Sequence, residues 1–113
     1  MKTDLTYLEH IEECIRRVEK NTAGGHAGFL ESDTLQDAVL RNLQTMAEAT
    51  QRLSDGLKAA HPEVEWARIS AFRNVLVHDY LGIDLEVVWR VVREEIPVLK
   101  EQVRTMVAEA SPK

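Results

Sequence analysis

The chain of 113 residues is expected to fold as an all-α protein, an antiparallel bundle of four to five helices. Three observations lead there. Apolar residues recur at intervals of three and four over long stretches, which is the period of a helix buried on one face. Aromatics are only 5%, with 5 Gly and 3 Pro, too few for a turn-rich β-sandwich. Cap-type residues (Thr3, Ser32 and Asp84) stand just before three of the periodic stretches.

Taken in order, the first helix is expected over 4–20 behind Thr3, with Leu8, Ile11, Ile15 and Val18 as its buried stripe. Cys14 lies at the stripe's edge and reads as a small buried hydrophobe; alone, it cannot form an internal disulfide. Residues 22–28 carry three glycines and are expected to be a loop, with His26 a solvated histidine or a phosphate contact. Ser32 then caps a long helix from Asp33 to about Ala59. Its stripe is Leu35, Val39, Leu43, Met46, Leu53 and Leu57, widened by Leu40 and Ala47.

His61-Pro62 breaks the chain, because proline disfavours a helical conformation in the residue before it. The third helix is expected from about Glu63, with Trp66, Ile69, Phe72 and Leu76 inward. Its regular part should end near His78, since Asp79 would otherwise point into the apolar arc, and Gly82 reads as a C-terminal stop. Asp84 caps a fourth helix carrying Leu85, Val87, Val88, Trp89, Val91, Val92 and Ile96. These positions span an arc of about 200°, wider than a bundle helix needs, so a second subunit is expected to cover the surplus. Pro97 should kink or restart the helix, which continues over 98–108. Residues 1–113 are expected to form one domain, with 110–113 a frayed tail.

The formal net charge is −5, so the chain lacks the basic surplus of a typical DNA-binding domain. Contact with nucleic acid must come from a local cluster. The longest apolar run falls far short of the roughly 20 residues of a membrane span, and no apolar signal core follows Met1-Lys2-Thr3-Asp4. A cytoplasmic protein without membrane contact is expected.

One local cluster stands out: Arg73-Asn74-Val75-Leu76-Val77-His78-Asp79-Tyr80. With Arg73 at 0° on a helical wheel, Asn74 falls at about 100°, His78 at about 140° and Tyr80 at about 340°. Phe72, Val75 and Leu76 fall between about 200° and 300°. Asn74 and His78 are one turn apart and can touch. The chemistry suits a phosphodiester. Arginine offers a fork of donors matched to two phosphate oxygens and keeps its charge at neutral pH. Histidine can take or deliver a proton near neutrality. Together they could activate the 2′-hydroxyl of RNA and offset the charge developing on phosphorus, with Asn74 as a supporting group. The four histidines are scattered, no set at metal-ligand spacing stands out, and Gly24-Gly25-His26-Ala27-Gly28 lacks the lysine of a phosphate loop. No metal or cofactor is expected.

Arg73, His78 and Tyr80 match the R-x4-H-x-Y signature of the HepT-like toxins, a branch of the HEPN superfamily of small helical ribonucleases, and the chain resembles that family beyond the signature. The likeness includes Asp33, the run Ala38 to Leu43 and Ala47-Glu48-Ala49. It continues through Pro62, Trp66, Ile69, Asp79, Ile83-Asp84 and Val88-Trp89 to Ile96-Pro97-Val98-Leu99. One departure is Met46-Ala47-Glu48-Ala49, where the family often has Ile-Gly-Glu-Ala; Glu48 is kept and either faces the cleft or lies on the helix surface. The resemblance implies a HEPN-like bundle that forms a symmetric dimer or a higher even oligomer. It implies metal-independent RNA cleavage at a cleft between subunits, with Arg73 and His78 as the catalytic pair and Asn74 in support. It also implies a type VII-like toxin–antitoxin pair, whose partner is an MNT-type nucleotidyltransferase antitoxin that transfers AMP onto Tyr80. Two other functions fit the residues: a non-catalytic nucleotide- or substrate-binding subunit acting with a nucleotidyltransferase, or a plain helical dimerisation module.

Overall fold

A computed structural model describes residues 3–111, and every regular element among them is helical. Helix α1 spans Asp4–Thr22, α2 Gly25–Leu30, α3 Asp33–Gln51 and α4 Asp55–Ala60. Helix α5 spans Trp66–His78, α6 Leu85–Arg90 and α7 Ile96–Ala110, with a π-helical turn, Val91–Glu95, joining the last two. Pro112 and Lys113 of the expected tail lie outside the described residues, as do Met1 and Lys2.

Side-chain bonds at the helix ends fix the topology. The Asp4 carboxylate, at the start of α1, accepts from the Ser54 N–H at 2.9 Å and from Ser54 Oγ at 2.6 Å, just past the end of α3. Lys100, early in α7, donates to Glu19, late in α1, at 2.9 Å. Helix α1 therefore runs antiparallel to both α3 and α7 and packs between them. Its stripe is sealed: Leu8, Ile11, Ile15 and Val18 are buried against Val39, Leu43, Val103 and Met106. Cys14 joins this core, and burial pushes its thiol above the ordinary range, which leaves it poorly nucleophilic.

The caps stand where they were expected. Thr3 Oγ1 accepts from the Thr6 N–H, Ser32 Oγ from the Leu35 N–H and Asp84 Oδ1 from the Glu86 N–H. Three expectations are corrected. The long helix of 33–59 is two helices, because Ser54 caps a new start at Asp55 and its own N–H is taken by Asp4. The third helix begins at Trp66 rather than Glu63; Pro62 to Glu65 form turns, and the Trp66 indole donates to the His61 carbonyl. The glycine-rich loop is mostly helix. Gly25 alone takes a left-handed φ of 88°, a conformation that disfavours other residues, and α2 starts there.

Pro97 explains the π-turn. A proline inside a regular helix lacks its N–H and crowds the carbonyl four residues back. One wider turn ahead of it lets the backbone continue, with the Ile96 N–H bonding the Val91 carbonyl.

Leu43 is fully buried in the α1–α3 seam. Leu43→Ala is expected to cost about 2–5 kcal/mol in a urea unfolding titration, with the slope of the transition unchanged.

Candidate active site

Helices α3 and α5 also run antiparallel, and the polar groups of the site line their seam. The last helical bond of α5 is from the Asp79 N–H to the Val75 carbonyl at 2.9 Å. Asp79 then leaves helical geometry, and the Gly82 N–H closes a turn onto the Asp79 carbonyl at 3.2 Å. Gly82 was expected as a C-terminal stop, and it lies three residues past the C-cap, Asp79. It keeps a negative φ, and its value lies in size: a Cβ there would meet Asp79 Oδ1 at 2.6 Å.

The turn swings Tyr80 off the helical wheel and towards α3. Its hydroxyl donates to Asp37 Oδ1 at 2.9 Å. That bond, aided by partial burial and the charge of the carboxylate, holds the phenol above its ordinary value near 10. Two turns back along α5, Arg73 also reaches α3. Its Nε and Nη2 donate to Glu48 Oε2 at 3.3 and 3.1 Å, and Gln44 donates to the same oxygen at 3.3 Å. Arg73 Nη1 donates to Asn74 Oδ1 at 3.3 Å. Glu48 thus faces the seam and holds the guanidinium.

His78 occupies the last turn of α5 with its ring exposed, and it makes no side-chain hydrogen bond or ion pair among the described residues. Asn74 turns to Arg73 and makes no bond to His78, against the contact that their spacing allowed. Arg73 and His78 sit about 140° apart around the helix, so one protomer aims them at different flanks. His26 is exposed as expected, but it lies on α2 and not in a loop: its Nε2 lies 2.7 Å from Glu86, and its ring packs at 5.3 Å on Trp89, tying α2 to α6.

Asp37 is the residue that sequence reasoning missed. The signal was available, because positions 37, 44 and 48 share one face of α3 within about 40°. Only the turn at 79–82, which no periodicity describes, makes Asp37 the partner of Tyr80.

Beside the cluster, between α5 and the α6–α7 segment, lies an open groove of about 560 Å³ that Met46 of α3 also lines. Its apolar lining includes Ile69, Phe72, Val75, Val87, Val91 and Val98, with Arg68, Arg90, Glu94 and Glu95 among its polar residues. Of the arc expected on the fourth helix, Val87 is 38% exposed, beside Val75 of α5 at 45% and Val98 of α7 at 57%, so this apolar surface is not fully sealed within one chain.

The model of the Ribonuclease HepT-like family matches residues 11–106. The chain belongs to the HepT-like ribonuclease family. As a HepT-like ribonuclease, it is an RNA endonuclease. It is 38% identical to a protein named as a probable ribonuclease HepT in Thermococcus cleftensis, over 83% of this chain and 86% of the relative. It is 33% identical to a candidate RNase of Caldanaerobacter subterraneus subsp. tengcongensis, over 92% and 94% of the two chains. A protein of Shewanella oneidensis named mRNA nuclease HepT is 26% identical over 88% of this chain and 92% of its own length. No solved structure matched significantly.

The raised phenol gives a direct test of the seam in the HepT-like protein. A donor with a raised folded pKa contributes stability that is fully present below its unfolded value near 10 and is lost as pH climbs through the higher folded value. In a phenolate absorbance titration, Asp37→Asn is expected to move the Tyr80 transition down towards 10, with Tyr80→Phe identifying which transition it is.

Proposed function

We propose that this protein is a metal-independent endoribonuclease toxin of a type VII-like toxin–antitoxin pair, cutting RNA in a cleft shared by two copies of the chain. The observation that carries the reading is the placement of Arg73 and His78 on different flanks of α5, with an apolar groove beside them. One protomer does not converge the two groups on one phosphate. A second copy laid symmetrically across the groove faces one set with the other, so that four polar groups converge from both sides. Val75, Val87 and Val98 supply apolar area for that contact.

The chemistry follows from the groups. The neutral imidazole of His78 takes the proton of a 2′-hydroxyl. The 2′-oxygen attacks the adjacent phosphorus, the bond to the 5′-oxygen breaks, and that oxygen leaves with a proton from the second imidazole. Arg73 offsets the extra charge carried by the phosphoryl oxygens in the transition state. Asn74 keeps one edge of the guanidinium aligned. The nucleophile belongs to the substrate, so the reaction needs no metal-bound water. The products are a 2′,3′-cyclic phosphate and a free 5′-hydroxyl.

Control falls to Tyr80, which is 38% exposed and so within reach of a partner enzyme. An MNT-type nucleotidyltransferase antitoxin that placed AMP on the phenolic oxygen would deprive Asp37 of its donor. It would also add bulk and negative charge at the mouth of the cleft, repelling RNA. No described helix is long and apolar enough to cross a membrane, and we place the pair in the cytoplasm.

Three expected results test the mechanism. Purified protein cleaves RNA but neither DNA nor 2′-O-methyl RNA, and chelation by EDTA leaves the rate unchanged. Arg73→Ala and His78→Ala each lower the rate by about 10²–10⁴ without loss of fold by circular dichroism. Val75→Glu, placed on the groove, yields monomers in sedimentation and abolishes cleavage while His78 stays in place. Full activity in a monomeric Val75→Glu protein would overturn the shared cleft.

A further inference from the structure

We infer that Arg41 is a substrate-binding residue, a second cation that grips an RNA phosphate at the α3–α5 seam, between the Arg73 and Tyr80 contacts. The inference rests on the ribonuclease reading of the site. It begins from a shortage. Arg73, the one arginine of the signature, is already held by Glu48 and Asn74, and Asp37 adds a further negative charge at the seam. A polyanion approaching this acidic chain needs positive charge that is not already committed.

Helix geometry points to Arg41. Positions 37, 41, 44 and 48 fall within about 60° of one another on α3. Three of the four are bonded to the site: Asp37 to Tyr80, and Gln44 and Glu48 to the Arg73 group. Arg41 therefore rises from the same face, between the two contacts. The antiparallel register sets its height. Glu48 holds Arg73 and Asp37 holds Tyr80, so Arg41 stands at a height between those two contacts. A helical side chain leans towards the N-terminus of its own helix, which on α3 is the direction of Tyr80.

The side chain is free to act. Arg41 is exposed, and its guanidinium makes no side-chain hydrogen bond or ion pair among the described residues. Its natural local partner would be Asp37, because an acid four residues before a base is the favourable order on a helix. Asp37 instead accepts the Tyr80 hydroxyl at 2.9 Å. The same bond that positions the tyrosine leaves the arginine uncommitted. Its planar fork suits a phosphate oxygen pair on a strand that follows the seam.

The test is binding by fluorescence anisotropy, with a labelled single-stranded 2′-O-methyl RNA of about 20 nucleotides as a probe that the protein cannot cut, measured over a range of salt concentrations. Arg41→Ala is expected to weaken binding about tenfold and to reduce the slope of log affinity against log salt by about 0.7, one phosphate contact on a single strand. Arg41→Lys keeps the slope and recovers part of the affinity. Arg16→Ala, which removes the same charge from an ion pair with Glu13 on α1, changes neither. If Arg41→Ala, folded by circular dichroism, behaves as Arg16→Ala does, the assignment is wrong. If the unmodified protein fails to bind the probe, the ribonuclease reading falls, and this one with it.

Discussion

The antiparallel seam between α3 and α5 is the constraint on which the chemistry depends. Apolar packing brings the two helices together, but packing alone would leave the polar side chains of α5 pointing into solvent. Two bonds across the seam give them fixed places. Glu48 gathers the Arg73 guanidinium, and Asp37 pins the Tyr80 hydroxyl after the helix has ended. The two contacts lie eleven residues apart on α3, three helical turns, so one face of one helix sets the positions of two functional groups on another. His78 stands between them with no tether of its own. Its exposed ring would be free to turn towards a substrate, as the proposed proton transfer requires.

This arrangement reconciles an acidic chain with a polyanionic substrate. With a net charge of −5, the long-range field does not draw RNA in. Attraction has to be short-ranged and local, built from guanidinium groups whose neighbouring carboxylates are already occupied by hydrogen-bond donors. The proposed pairing of two copies would concentrate that effect, because each would contribute the same cations to one trough. It would also make activity depend on assembly, and the apolar groove beside α5 is open in a single chain. In an enzyme that cuts RNA, a site completed only by a second subunit would limit cleavage to the assembled form.

Much of the fold was legible in the sequence, because helical periodicity and caps are local signals. Leu8, Ile11, Ile15 and Val18 were placed inward by spacing and are buried; Thr3, Ser32 and Asp84 were named as caps and cap. The misses share a cause, which is that a tertiary contact decided them. Ser54 broke the long helix because Asp4, fifty residues away in sequence, accepts its N–H. Gly24-Gly25 read as loop, although only Gly25 needed a left-handed backbone and the residues after it wound into α2. His26 is exposed as expected, but nothing local announced its contacts with Glu86 and Trp89. At the site, Arg73, Asn74, His78 and Tyr80 were visible as one cluster. Glu48 was left open between cleft and surface, and Asp37 was passed over, since the turn at 79–82 that aims Tyr80 follows no period.

The exposure of the Glu48–Arg73 pair also bears on how the site works. A fully buried ion pair would resist separation, because breaking it strands a charge in a medium that cannot solvate it. This pair retains 39% and 30% of its side-chain exposure, in the range where water and salt screen most of the attraction and the net stabilisation is about 0–1 kcal/mol. Glu48 can therefore aim the guanidinium in the absence of substrate and yield it to a phosphate, whose oxygens accept the same fork of donors with more charge. Water takes up the released carboxylate at little cost. Had Glu48 been sealed in the core, Arg73 would be a structural strut. Had it been absent, the long side chain would lose rotamer freedom at the moment of binding, which costs up to about 2 kcal/mol. A half-exposed carboxylate on the neighbouring helix lies between these extremes: it orders the arginine beforehand without competing strongly for it.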